Sequence, residues 1–382
     1  MNIRVRTALA TALVATALVA AALAATGATA TAAPAVHAAP RTEPISVTPS
    51  GKAGDGASTG AVISRDGRYA AFSSTATDLL PGAPRGGLFV RDLRTGKLTR
   101  VADGTDPSLS KDGRHLAYTD AGLHLLDRRT GRTERLDTGL PAGFGPGGHA
   151  YLSGTARYAV FTATSAADGP VVFLRDRVTH TTERISPPKP TWEPRSAGDA
   201  TVSDDGRRVV YQYTYSNGPR GDDWSDIWLY DRSTGTRTQI DRSTDGSPTA
   251  RESLNPALSA DGRTVVFESA DTHLVPDDTD NSWNVFVHHL ATGRNDRIQG
   301  YGRDAAVSAD GRYVTLTTHE GPAYPLYVRD LTNGTRALVA TEGHVEPGGV
   351  SARRIAFTSY DVTLNPRGDD NNEQDVFVRH LQ

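Results

Sequence analysis

The chain contains no cysteine in 382 residues, which excludes disulfides, thiolate metal sites and a cysteine nucleophile, and leaves no residue for a lipoprotein anchor. Lysine is nearly absent, and no basic stripe follows Arg6 in a chain whose net charge is -3. Nucleic acid is therefore not an expected partner. The sequence has no G-x-S-x-G elbow, no H-E-x-x-H pair and no phosphate-binding P-loop. No long apolar run occurs after the first forty residues, so no spanning helix is expected in the body of the chain.

Those first forty residues have a character of their own. Arg4 and Arg6 precede an apolar stretch from Ala8 to Ala25, and small residues at Ala28-Thr29-Ala30 and Val36-His37-Ala38 offer cleavage sites. A positive start, a short apolar core and a small-residue exit form the secretory signal pattern. Residues 1–38 are expected to be a signal peptide cleaved between about 30 and 38, leaving 39–382 secreted, without a membrane anchor and as a monomer.

One sentence is written repeatedly through the mature part: a small and an apolar residue, Ser, x-Asp-Gly-Arg, then an alternating apolar strand. Ala257-Leu258-Ser259-Ala260-Asp261-Gly262-Arg263-Thr264-Val265-Val266-Phe267 is the clearest copy, and others start at Ser64, Ser110, Ser203 and Ser308. Ser153 and Ser351 begin copies that keep the strand but lose Asp-Gly. The spacings of these serines, 46, 43, 50, 56, 49 and 43, sit around the period of about 40 to 50 residues of four-stranded propeller blades. The Asp-Gly pair predicts a two-residue type I′ hairpin, which needs positive φ at both central residues. A second hairpin follows in each copy, as in Leu88-Phe89-Val90-Arg91-Asp92 with Thr95-Gly96.

The expected fold is all-β, a single propeller of seven four-stranded blades. The last copy stops after its third strand, Val376 to Leu381, while Glu43 to Pro49 reads as an orphan fourth strand. Residues near Pro44 to Thr48 are predicted to complete the final blade and close the ring. The combination of S-x-D-G-R with D-[VI]-[FW]-V-R-D-x-x-T-G resembles the repeat of the TolB family across essentially the whole mature chain. That resemblance implies a propeller but no single activity, because similar blades occur in TolB, in the gating domains of prolyl oligopeptidases and in propeller lyases.

Four residues before each anchor serine stand Gly60, Asp106, His149, Asp199, Asn255, Asp304 and Pro347, with Arg303 and Glu346 nearby. First strands of such blades lie innermost, so these positions are predicted to line the channel mouth. Two readings stand: Asp106, His149, Asp199, Asn255 and Asp304 form a site for a cation or cationic ligand, or Asp and Asn serve local turns there. A second group comprises Asp277, Asp278 and Asp280 in copy five and Asp369, Asp370 and Asp375 in copy seven. These acidic residues resemble a calcium ligand supply, or else are solvated turns, and no other cofactor is expected. A related run, Asp222, Asp223 and Asp226, lies in copy four.

The expected function is a secreted scaffold that binds an unidentified protein or cell-wall ligand, with Trp192, Trp224, Trp228 and Trp283 as candidate contact aromatics. The enzymatic alternative is a metal-dependent polysaccharide lyase of the propeller type with its site at the mouth. Its relatives hold a divalent metal with His and Gln, whereas here only His149 falls on the inferred ring.

Overall fold

The computed structural model describes residues 41–381, apart from 83, 189–194, 216–223, 248, 250, 280, 299–300, 322 and 370. The signal segment, Trp192, Asp222, Asp223, Asp280 and Asp370 lie outside the described residues. Six sheets have four antiparallel strands joined in sequence order, and a seventh joins the two ends of the chain. Blade 1 runs over Ser58–Ala102, blade 2 over Thr105–Arg135, blade 3 over Ala150–Arg184, blade 4 over Arg195–Gln239, blade 5 over Ser253–Ile298 and blade 6 over Arg303–Ala340. Blade 7 combines Arg354–Ser359 and Asp375–His380 with Thr42–Pro44. Apart from a 3₁₀ turn at Val362–Leu364, the described residues contain no helix.

Seven apolar clusters, one at each junction, hold the blades in a ring. Val160, Val172 and Leu174 of blade 3 meet Val202, Val209 and Tyr211 of blade 4, for example, and Ile45, Ala356, Val376 and Val378 of blade 7 meet Ile63, Phe72 and Phe89 of blade 1. The last cluster closes the circle. A single blade cannot bury both its faces, so the apolar alternation of every second and third strand is satisfied only by a neighbour on each side.

The closing strand sits slightly earlier than predicted. Thr42, Glu43 and Pro44 pair with Arg379, Val378 and Phe377, whereas Ile45 leaves the ladder after its amide donates to Val376 O at 2.8 Å. Ile45 is instead a fully buried core side chain. Proline at the end of the strand costs the ladder one donor, which explains why pairing stops there.

The repeat sentence has a specific geometry, and it corrects the type I′ expectation. Only the glycine of each Asp-Gly has positive φ, as at Gly67 (74°) and Gly262 (70°); the aspartates do not. Gly67 N donates to Ser64 O (2.7 Å), Ser64 Oγ donates to Asp66 Oδ1 (2.6 Å), and Ser64 Oγ accepts from Tyr69 N (2.9 Å). Serine and aspartate thus cap a longer turn that glycine closes. The arginine then pairs with the aspartate that ends the third strand: Arg68 with Asp92, Arg114 with Asp127, Arg157 with Asp176, Arg207 with Asp231, and Arg312 with Asp330. The bond from Arg68 holds the Asp92 carboxyl down at about 2. The arginine of the repeat turn and the aspartate that ends the third strand are therefore halves of one clamp in these five blades.

Candidate functional site

First strands neighbour one another around a central channel whose two ends differ. At the mouth lies a cavity of about 450 Å³ lined by His149, Asp199, Asn255, Asp304, His344 and Glu346, among others. At the opposite end the space shrinks to about 50 Å³ between Ile63, Leu109, Val202, Leu258, Val307 and Val350. Arg65 crosses this narrow end. Its Nη1 and Nη2 donate to Leu109 O (3.2 Å) and Leu152 O (2.8 Å), and its Nε pairs with Asp204 at 2.7 Å. The channel is thus a cup with a plugged floor.

Of the seven positions inferred from the serines, His149, Asp199, Asn255, Asp304 and Pro347 line the mouth cavity. Asp106 lies close enough for its charge to raise the pKa of His149. Asp106, Asp199, Asn255 and Asp304 all have positive φ, 53°, 47°, 51° and 53°, as does Gly60 at 65°. Each sits where the register between first and second strand slips. Asp, Asn and Gly are the residues that tolerate this conformation most readily, so a bulge accounts for the residue types at these places. The same bulge brings their side chains to one rim.

The rim groups differ in how far they are satisfied. Thr317 Oγ1 donates to Asp304 Oδ2 at 2.8 Å, Thr105 Oγ1 to Asp106 Oδ2 at 3.0 Å, and Asn255 Nδ2 to Glu268 Oε1 at 3.1 Å. Burial pushes the Asp199 carboxyl up against the pull of His149. Burial likewise lowers the pKa of His149, whose ring stacks on Tyr151 with centroids 4.5 Å apart, and its Nε2 is buried without a hydrogen bond. A low pKa keeps the imidazole neutral and free to accept at neutral pH.

Arg303 is not a mouth group. Its Nε pairs with the fully buried Glu268 at 2.9 Å and its guanidinium lies 4.5 Å from the Trp283 ring, so its charge is spent below the rim. Glu268 also accepts from Asp304 N at 2.7 Å and thereby fixes the bulge of blade 6. The spacing rule missed His344, which pairs with Glu346 at 3.2 Å. Blade 7 lacks a regular first strand: two isolated bridges, His344 to Thr358 and Val350 to Ile355, flank a turn in which Gly349 N donates to Glu346 O. That turn swings both side chains into the cup, and the eroded copy at Ser351 was its only sequence signal. Contact with Glu346 raises the His344 pKa and lowers that of Glu346.

The acidic loop residues do not form one cluster. Asp278 pairs with Arg297, Asp369 Oδ1 accepts from Asn371 N in a local turn, Asp375 Oδ1 accepts from Ser46 Oγ at 2.7 Å, and Asp277 lies on an outer cleft. Among the described residues no three His, Asp or Glu side chains converge to hold a metal. The divalent metal that a propeller lyase would need therefore finds no fitting His-rich donor set at the cup. The outer cleft, about 1370 Å³ along the outer strands of blades 4, 5 and 6, is lined in part by His288 and His289. His288 is buried against Asn295 and His289 faces outward to Asp296, so the two point apart. Trp224 is buried as a donor to Asp226, and exposed aromatics stand instead at Tyr301 and Tyr324, on either side of His319.

Comparison with protein-family models finds no match, and neither does comparison with curated proteins. Among solved structures, an oligogalacturonate lyase from Vibrio parahaemolyticus is 13% identical over 86% of this chain and 92% of that one, with a TM-score of 0.61. An oligogalacturonate lyase in complex with manganese is 16% identical over 84% and 88%, with a TM-score of 0.59. TolB from Acinetobacter baumannii also matches, 18% identical over 76% and 66%, with a TM-score of 0.44. The likeness to the two lyases is one of fold, and the seven sheets with their closed circle of clusters make the chain a seven-bladed β-propeller.

Proposed function

We propose that this propeller is an exported binding protein whose plugged cup takes a cationic group presented by a protein or cell-envelope ligand. The observation that carries the reading is the gathering of Asp106, Asp199, Asp304 and Glu346, from blades 2, 4, 6 and 7, around a cavity of about 450 Å³ in which His149 stays neutral. Low-dielectric walls focus the field of such a rim and favour a cation entering it. A plugged floor suits capture better than passage. Export rests on Arg4, Arg6 and the apolar stretch that follows them.

The test is calorimetry with a trilysine peptide at low salt, on the mature chain and on the Asp199→Asn, Asp304→Asn double variant. Asparagine keeps the positive φ that both positions need, so the bulges survive. At least about tenfold weaker binding in the variant is expected, since each neutralised contact removes more than a kcal/mol. Equal binding, or none by the parent chain, discards the reading.

A second reading, catalysis, is favoured by one observation: the buried, unbonded Nε2 of His149 beside Tyr151, a pair suited to proton transfer. An absorbance assay for unsaturated uronides with and without manganese checks it. The binding reading expects no product in either arm.

A further inference from the structure

The second residue after the fourth strand has one duty in several blades: its side chain accepts an amide of the third strand. Ser46 Oγ accepts from Val376 N, Ser186 Oγ from Val172 N, and Asp137 Oδ2 from Leu123 N. The carboxylate at Asp137 is fully used, because Gly147 N and both arms of Arg135 reach it as well. In blade 4 the same place is held by Asp241; the preceding Ile240 N donates to Ile227 O at 3.0 Å, as Leu136, Ile185 and Ile45 do to their own third strands.

Asp241 holds the same place loosely, with the Ile227 amide, Ser253 and Gln239 beside its carboxylate. It is completely buried, yet neither of its carboxylate oxygens has a hydrogen bond of good geometry. Its neighbour on the third strand is another acid, Asp226, 7% exposed, whose Oδ1 accepts from Trp224 Nε1 at 3.0 Å. In blade 7 the corresponding pair is Asp375 with Ser46, acid against hydroxyl. Blade 4 puts acid against acid, and each raises the demand for a positive charge between them.

The surrounding groups supply oxygen and little positive charge. Ser253 lies beside Asp241 and Thr249 beside Asp226, and both hydroxyls are buried without a well-formed hydrogen bond. Tyr215 borders Asp226, and Gln239 borders Asp241. Arg242 is near enough to lower the Asp226 pKa but forms no ion pair with either acid among the described residues. Two buried carboxylates without a counter-charge would be strongly unfavourable. We infer that Asp226 and Asp241, with the hydroxyls of Ser253 and Thr249, form a structural site for a hard divalent cation of the calcium class.

Two carboxylates balance its charge, and carboxylate and hydroxyl oxygens are the ligands a hard cation such as calcium takes. The site locks the fourth strand of blade 4 to its third. It stands apart from the channel cup, so its fate is independent of the proposed binding activity.

The experiment is a thermal melt of the mature chain at pH 8, after exhaustive treatment with chelator, with and without 2 mM calcium chloride, beside the Asp241→Ser variant. Serine is the residue of blades 3 and 7 at this place and can accept the Ile227 amide, so the variant folds. Calcium should raise the midpoint of the parent chain by at least about 3 °C, because a cation that binds only the folded state stabilises it by mass action. The variant should show no shift. Burial and Asp226 together push Asp241 to about 7. If a proton alone relieves the pair, the midpoint will fall from pH 6 to pH 8 equally with and without calcium, and that result overturns the site. An equal calcium shift in both proteins overturns it too.

Discussion

The two ends of the channel are made from neighbouring residues of the same first strands, with a turn in place of the first strand in blade 7, and have opposite character. At the floor, backbone bonds lace one blade to the next: Asp66 N to Lys111 O, Lys111 N to Gly154 O, Gly154 N to Asp204 O, Asp204 N to Ala260 O and Asp261 N to Ala309 O. Small residues at Gly154, Ala260, Ala309 and Ala352 let those backbones approach, and Arg65 fills the space they leave. At the mouth, bulges push each chain outward and present Asp106, Asp199, Asn255 and Asp304 on positive-φ backbone. A laced end gives rigidity and a bulged end gives chemistry. The difference arises within about four residues of each anchor serine.

Removing the closing strand should break both ends at once and give the largest effect. Deletion of residues 39–50 takes away the pairing of Thr42–Pro44 with Arg379–Phe377 and the buried Ile45, leaving blades 7 and 1 without their shared cluster. The thermal midpoint is expected to fall sharply, and an unchanged melt would sink the closure. Next in size, Arg65→Ala strikes the floor alone. It leaves Asp204 with only the distant Lys111 at 3.9 Å and two carbonyls without their donor, so denaturant titration should show a loss of about 3 kcal/mol. Ligand binding at the mouth should weaken little in that variant. If it fails as completely as in the Asp199→Asn, Asp304→Asn protein, the two ends are not separable.

The smaller effects concern protons at the mouth. The Asp199 pKa is raised above 3.8, so this carboxyl takes up a proton earlier than an ordinary one as the pH falls. Cation binding should decline through that range, and Asp199→Asn should remove part of the decline. The smallest expected effect belongs to His344 and Glu346. The histidine is raised above 6.5 and the glutamate lowered below 4.5, so their mutual stabilisation is fully present between those values. It is lost as the pH rises through the folded value of His344, and equally as it falls through that of Glu346. A shallow loss of midpoint as the pH rises above 6.5, absent in Glu346→Gln, would confirm the contact; an identical slope in the variant would refute it.

Much of the molecule could be read from the repeat. The serines at 64, 110, 153, 203, 259, 308 and 351 counted the blades, and the orphan segment near Pro44 located the closing seam, because periodicity and alternation are local and survive in any one copy. The turn type was misjudged because Asp-Gly was read as a two-residue loop, while the serine three places before the glycine sets a longer one. The mouth was legible only in part. Asp199 and Asp304 stand at a fixed distance from an anchor, but His344 and Glu346 enter through a turn that exists because blade 7 has lost its regular first strand.

The sequence by itself determined the number of blades, the antiparallel order within them and the seam at which the ring closes. These are consequences of near-neighbour chemistry repeated seven times. Only the tertiary structure decided that the floor is plugged, that Arg303 is consumed by Glu268, that Asp241 lies near Asp226, and that Asp199, Asp304 and Glu346 from three blades share one cup with Asp106 near its His149. Such encounters join residues far apart in the chain, and closure of the ring is what fixes the distances between them.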